Sequence, residues 1–374
     1  MFTLFFTLFV AHAVLGFSPT FLPCQVQKPT GHSALEGCPK GTIFVSPTDK
    51  TANFTKVQDA ISSLPATGQS IILIGEGQYH ERVNVLNKAP ITLLGQLRST
   101  PTTQNLVQIW DNKFVENGMS DVDSAVFLIA PSLESSIVNS TFKEAATTAN
   151  PDFKAYNIDF QNRAANYSIS QALVMAISSS NASFYGCTFA SYQDTWYTGH
   201  NANTFVTNST IYGQTDYLFG YGTAWFQGIT LANRACGGGI AAWKGTDQST
   251  ASGNKFGAYI ADSRIIRSPD ANATTVTTGK CFLGRPWNEL ATTVYLRTSM
   301  DSSINSAGFK AWGGNRTVIE STTFYAEYKT TGSGADNSVR VAQDHILTDA
   351  QAGQYTIQSV FGGTPSWIDF DYTF

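Results

Sequence analysis

Ser183-Phe184-Tyr185-Gly186-Cys187-Thr188-Phe189 is a short β-rich run in which a small or polar residue stands about two places before a large apolar one. The same arrangement recurs in runs ending at Phe142, Phe160, Phe189, Ile211, Leu231, Ile265, Met300 and Phe324. The spacings between those residues are 18, 29, 22, 20, 34, 35 and 24. A repeat of about 20 residues with occasional longer loops is the signature of a solenoid. Short strands without intervening helices point to an all-β fold, a right-handed single-stranded parallel β-helix. Each coil would stack on the last over a continuous apolar core. A β-sandwich needs hairpins, and two-residue hairpin signals are scarce between these runs.

Upstream, Phe54, Val57, Ile61 and Leu64 share one helical face and Pro65 ends the pattern, which predicts a helix near residues 53–64. Its expected task is to cover the open first coil, whose backbone edge would otherwise invite association. Ser70–Ile74 and Ile91–Leu94 read as strands, each closely followed by Gly. The irregular stretch of about 325–374 is expected to cover the opposite end. No linker divides residues 17–374, so one domain is expected.

Charged residues make up 13% of the 374-residue chain, about half the usual share. With 42% hydrophobic residues, this composition argues against disorder. The net charge of -4 and the lack of any Lys/Arg run argue against nucleic-acid binding. An acidic balance suits a polyuronide whose carboxylates are masked as esters. Residues 1–16 are apolar and uncharged, and Ala11-His12-Ala13 fits a small-x-small cleavage site, so a signal peptide is expected. That run is too short to span a membrane, and no other stretch is long and apolar enough. Seven Asn-x-Ser/Thr sequons, at Asn53, Asn139, Asn166, Asn181, Asn208, Asn272 and Asn315, agree with secretion. Of five cysteines, Cys24 and Cys38 are able to close a small loop, and a Cys236–Cys281 pair is also open. Cys187, in an apolar run, is expected to be a buried inert thiol.

The period has a consequence for polar residues. Gln171 and Gln193 are 22 apart, and so are Asp194 and Asp216. Partners one coil apart should lie about 4.8 Å from each other. Two amides and two carboxylates would then converge on one outer face. Two carboxylates so close resist double ionisation, which suits a reaction needing one anion and one neutral acid. The amides are able to donate N–H groups to a developing oxyanion.

Five segments now bear on identity: Gly77-Gln78-Tyr79-His80-Glu81, Gln171-Ala172-Leu173-Val174-Met175, Gln193-Asp194-Thr195, Asp216-Tyr217-Leu218-Phe219-Gly220 and Leu283-Gly284-Arg285-Pro286-Trp287. Together and in this order they resemble the signature segments of the pectin methylesterase family, over roughly residues 42–325. The second departs at its later positions, where the family more often has smaller apolar residues. The long inhibitor-like pro-region of the plant enzymes is not in this sequence, which looks more like the shorter microbial type. The resemblance implies a secreted esterase acting on methylated homogalacturonan. Asp216 would be the nucleophile, Asp194 the general acid and then base, Gln171 and Gln193 the oxyanion donors, and Arg285 the partner that orients Asp216. Trp287 and Trp312 would be walls for sugar rings. Tyr217 and Phe219 flank the nucleophile, and strand alternation would put them on one side, opposite Leu218. Glu81 reads as structural. A monomer is expected, with no cofactor, no metal, no nucleic acid and no membrane partner.

Other chemistries fit less well. No Gly-x-Ser-x-Gly string supports a serine esterase. His32, His80, His200 and His345 are scattered without ligand spacing. A β-helix polygalacturonase or pectate lyase would share the acid pair but has no use for two oxyanion amides. A non-catalytic polysaccharide-binding β-helix would keep the aromatics without the Asp/Asp/Arg set.

Overall fold

The computed structural model describes residues 16–99, 104–133, 149–245 and 256–373. The expected signal peptide lies almost wholly outside these residues, as do the run ending at Phe142 and the Asn139 sequon. The described chain winds through three parallel sheets of eleven, seven and eight strands, contributing one strand to each sheet in most turns. This is a parallel β-helix, right-handed as crossovers between parallel strands are.

The periodic residues stack as one column. Phe160, Phe189, Ile211, Leu231, Ile265 and Met300 are successive register partners in the eight-stranded sheet. Tyr79 and Ile109 extend the column toward the N-terminus. Phe324 does not join it. It opens strand Phe324–Tyr328 of the eleven-stranded sheet, paired with Thr292. Inside the coils aromatic rings meet, as in the stacked pair Phe160 and Phe189, with centroids 5.5 Å apart. Deleting one such ring leaves a cavity and costs roughly 3–5 kcal/mol.

One corner is built alike in coil after coil. Asn157, Gly186, Asn208, Gly228, Asp262, Arg297 and Lys329 each follow a strand of the eleven-stranded sheet and each have φ between 46° and 61°. A single left-handed residue turns the chain toward the eight-stranded sheet there. Asn and Asp tolerate this conformation better than most residues. The next residue ties neighbouring coils: Ser209 Oγ accepts from Cys187 N–H, and Ser263 Oγ from Ile229 N–H.

The N-terminal helix is observed as Val57–Ser62, with Val57, Ala60 and Ile61 in the core. Its N-terminus is closed by Glu81, whose Oε1 and Oε2 accept from the Val57 and Gln58 N–H groups, both at 2.9 Å. A carboxylate there satisfies orphan donors and complements the helix dipole. The C-terminal stretch meets the expectation only in part: Ala335 and Val341 pack against the interior core at its last coils. Residues 325–346 supply the last strands, but the chain beyond them returns along the outer face of the eleven-stranded sheet. Trp367, Ile368 and Tyr372 pack there with Tyr156 and Tyr185, and Thr373 bridges Phe17. An apolar outer face wide enough to need covering draws the tail alongside. Cys24 is bonded to Cys38 and Cys236 to Cys281. Cys187 is buried and free, and burial pushes its thiol up to about 12.

Candidate active site

The outer face of the seven-stranded sheet carries Leu128, Leu173, Ala176, Tyr197, Phe219 and Ala242, with Tyr221, Trp287 and Trp312 packed at its margin. The acidic and amide residues stand at the corner where the chain enters this sheet. Gln193 bridges Thr215, and Asp194 N–H donates to Thr215 O, so Asp194 and Asp216 occupy the same place in successive coils. Ala172 N–H donates to Gln193 O, which puts Gln171 over Gln193. The Val174 and Met175 N–H groups then share Thr195 O, an extra residue that shifts the register before Met175 pairs with Trp196.

Asp194 and Asp216 both have positive φ, 59° and 48°. This costs roughly 1–2 kcal/mol per residue. Asp216 Oδ1 accepts from Gly239 N–H at 2.8 Å and from Arg285 Nε at 2.9 Å, and its Oδ2 accepts from Arg285 Nη2 at 2.5 Å. A fork of this kind fits a carboxylate anion. Arg285 is itself held by Trp312, whose carbonyl accepts from Nη1 at 2.9 Å and whose ring lies 4.0 Å from the guanidinium. Gly238 leaves room for this ion pair: a Cβ there would lie 2.3 Å from Asp216 Oδ1 and 2.6 Å from Arg285 Nε and would push the pair out of place.

Asp194 has different surroundings. It is buried, and its carboxyl is pushed well above the usual range, first by desolvation, then by Asp216 and Asp121, with Arg285 opposing. The two glutamines are oriented by serines. Ser168 Oγ donates to Gln193 Oε1 at 2.7 Å, and Ser170 Oγ donates to Gln171 Oε1 at 2.8 Å. Each carbonyl is thereby engaged, and the Nε2 group is what each amide presents as donor. An arginine-paired carboxyl, a second carboxyl whose charged form is disfavoured by burial, and two amide donors in one place form a set suited to acyl transfer from an ester.

A pectinesterase family model matches residues 114–364. The chain belongs to the pectinesterase family. It is 28% identical over 363 residues to a probable pectinesterase A of Aspergillus fumigatus, covering 96% of this chain and 97% of that protein. It is 29% identical over 354 residues to pectinesterase 2 of Citrus sinensis, covering 91% of this chain and 61% of that protein. The chain spans about half the length of an Arabidopsis thaliana probable pectinesterase/pectinesterase inhibitor, 51% of which it matches. The pectin methylesterase from carrot aligns with a TM-score of 0.70 at 27% identity, covering 86% of this chain and 93% of that one. The Aspergillus niger enzyme shares the fold, with a TM-score of 0.70 at 24% identity, over 89% and 98%.

At this corner Asp194, Asp216, Gln171, Gln193 and Arg285 come together, and Trp287, Trp312 and Phe219 border them. Tyr217 does not. It is fully buried in the interior, where its hydroxyl donates to Asn233 Oδ1 at 2.9 Å. Leu218 is interior too, and only Phe219 reaches the outer face. The regular strand begins at Leu218, and the left-handed turn at Asp216 breaks the alternation that would have put Tyr217 beside Phe219. Sequence reasoning also missed Asp121, Ser168, Ser170, Tyr197, Tyr221 and the Gly237-Gly238-Gly239 run. The triple glycine was a legible sign of close backbone approach. The others carried no local signal.

Proposed function

We propose that this chain is a secreted pectin methylesterase that releases methanol from the C6 methyl esters of homogalacturonan. Asp216 Oδ attacks the ester carbonyl, and the Gln171 and Gln193 amides hold the developing oxyanion. As the tetrahedral intermediate collapses, Asp194 protonates the departing methoxide, leaving an acyl-enzyme on Asp216. Asp194 then takes a proton from water, whose oxygen attacks the acyl carbon and frees Asp216 and the acidic sugar. Phe219, Trp287 and Trp312 offer ring faces to the sugars. The observation that carries this reading is the unlike setting of two stacked carboxylates: Asp216 in the fork of Arg285, and Asp194 desolvated beside it. The two disulfides favour an oxidising compartment and hence secretion.

The test is methanol release from methylated pectin. Wild type is expected to be active, and Asp216→Asn to lose on the order of 10³-fold or more in kcat. Chain scission without methanol would point instead to a glycoside hydrolase or lyase.

A further inference from the structure

Around the corner from Gln193, on the outer face of the eight-stranded sheet, lies a trough of about 370 Å³. Arg163 forms one wall, Tyr192 and Arg234 the other, and Ala190 contributes to the floor between them. Ala190 sits in register between the longer Gln161 and Tyr212, so a small side chain opens the space.

Arg163 is held unusually for an arginine. Its Nε, Nη1 and Nη2 donate to the Oε1 atoms of Gln161, Gln78 and Gln108, at 2.9, 3.1 and 2.9 Å. Its guanidinium lies 4.5 Å from the Trp110 ring. All three acceptors are neutral, and among the described residues no carboxylate lies within ion-pair distance of it. The side chain is fixed, yet its charge is uncompensated. Arg234 opposite is fixed by Asp270 and by Ser191 O, with its guanidinium 4.8 Å from the Tyr192 ring. A preorganised guanidinium that still has N–H groups to give binds a carboxylate with little ordering cost.

The trough adjoins the amide pair. Tyr192 directly precedes Gln193, and Gln193 is itself fixed by Ser168. We propose that Arg163 and this trough bind the free carboxylate of an already de-esterified galacturonate unit on the chain whose next ester is presented to Gln193 and Asp216. The proposal rests on the pectin methylesterase reading and adds a preference to it. A methyl ester offers Arg163 no charge, whereas the product carboxylate does. The site therefore favours partly de-esterified stretches over fully esterified ones.

The experiment is calorimetric titration of Asp216→Asn protein, in which esters are not turned over, with two hexamers: fully de-esterified and fully methyl-esterified oligogalacturonate. Asn166 heads a sequon lining the trough, so N-glycans are removed enzymatically first. Adding Arg163→Met is expected to weaken the acidic hexamer about tenfold, as loss of one charge-assisted contact does, and to leave the esterified one within about twofold. Arg163→Lys, which keeps the charge but not the fork, should fall between and serves if the Met variant is poorly folded. The contrast should shrink as salt rises. Equal weakening of both hexamers, or of neither, overturns the proposal. Absence of methanol release by wild type would sink the esterase reading alone, because Arg163-dependent binding of the acidic hexamer is measured without turnover.

Discussion

Asp194 and Asp216 have the same side chain, nearly the same backbone conformation and adjacent places in the stack. What separates them is who faces them. Asp216 meets Arg285 from a strand 69 residues away, while Asp194 is cut off from solvent and faces two like charges that Arg285 only partly opposes. A carboxyl whose folded pKa lies above its unfolded value binds more protons when folded. It therefore subtracts stability as pH rises from the unfolded value through the raised one. Asp194→Asn removes that cost. The expected outcome is a variant inactive toward methyl esters yet more stable at pH 7, with Tm higher by about 2–4 °C for each kcal/mol relieved. Thermal melts at pH 4 and pH 7 check this, and the gain should be smaller at pH 4. Asp121 belongs to the same balance, since its charge raises Asp194. Asp121→Asn should move the alkaline limb of the kcat profile to lower pH, because Asp194, the proposed general acid, then loses its proton sooner. The stacking of these acids was legible in their 22-residue spacing. Their inequality was not, because the groups that create it come from distant coils, and spacing within the repeat says nothing about charge.

At the scale of elements, the Cys236–Cys281 disulfide spans 45 residues and joins the two segments that serve Asp216. Gly239, whose N–H bonds the carboxylate, follows Cys236 closely, and Arg285 follows Cys281 at similar distance. Closing a loop of that length stabilises by about 4 kcal/mol in the chain-entropy model. The Cys236→Ala/Cys281→Ala double variant should lower Tm and reduce kcat more than it raises KM. A fall in Tm with unchanged kcat on the folded fraction would separate the disulfide from the site. The periodic apolar column was readable because a β-helix repeats one inward position in every coil. Phe324 misled because it has the right residue type at the wrong phase: the equivalent place in its coil follows Lys329. Tyr217 misled for a related reason, since period-two alternation holds only inside a strand, and a left-handed residue resets it.

For the molecule as a whole, the core and the order of coils were legible, whereas the course of the C-terminal tail was not. Nothing local distinguishes a tail that covers an end from one that lies along a side. That choice is made by the apolar outer face formed by Tyr156, Tyr185, Trp225 and Tyr259, residues far apart in sequence. The corner with the left-handed residues bears on how such a chain varies. Between the eleven-stranded and eight-stranded sheets the link is two residues at Gly186-Cys187, Asn208-Ser209, Gly228-Ile229, Asp262-Ser263 and Arg297-Thr298. The other two corners range widely, from the short link between Gly220 and Thr223 to the long one between Arg267 and Gly284. Deleting Ser209 should therefore abolish soluble folded protein. Removing one residue from the 268–283 link, away from Cys281, should leave a cooperative melt. From Asn181 onward this corner thus acts as the metronome of the solenoid, whereas the same corner between Gly95 and Val107 holds a longer link, and the two corners that flank the seven-stranded sheet are where length is free to drift. Such a chain can acquire new groove walls, and with them new tastes in polysaccharide, without any coil losing its beat.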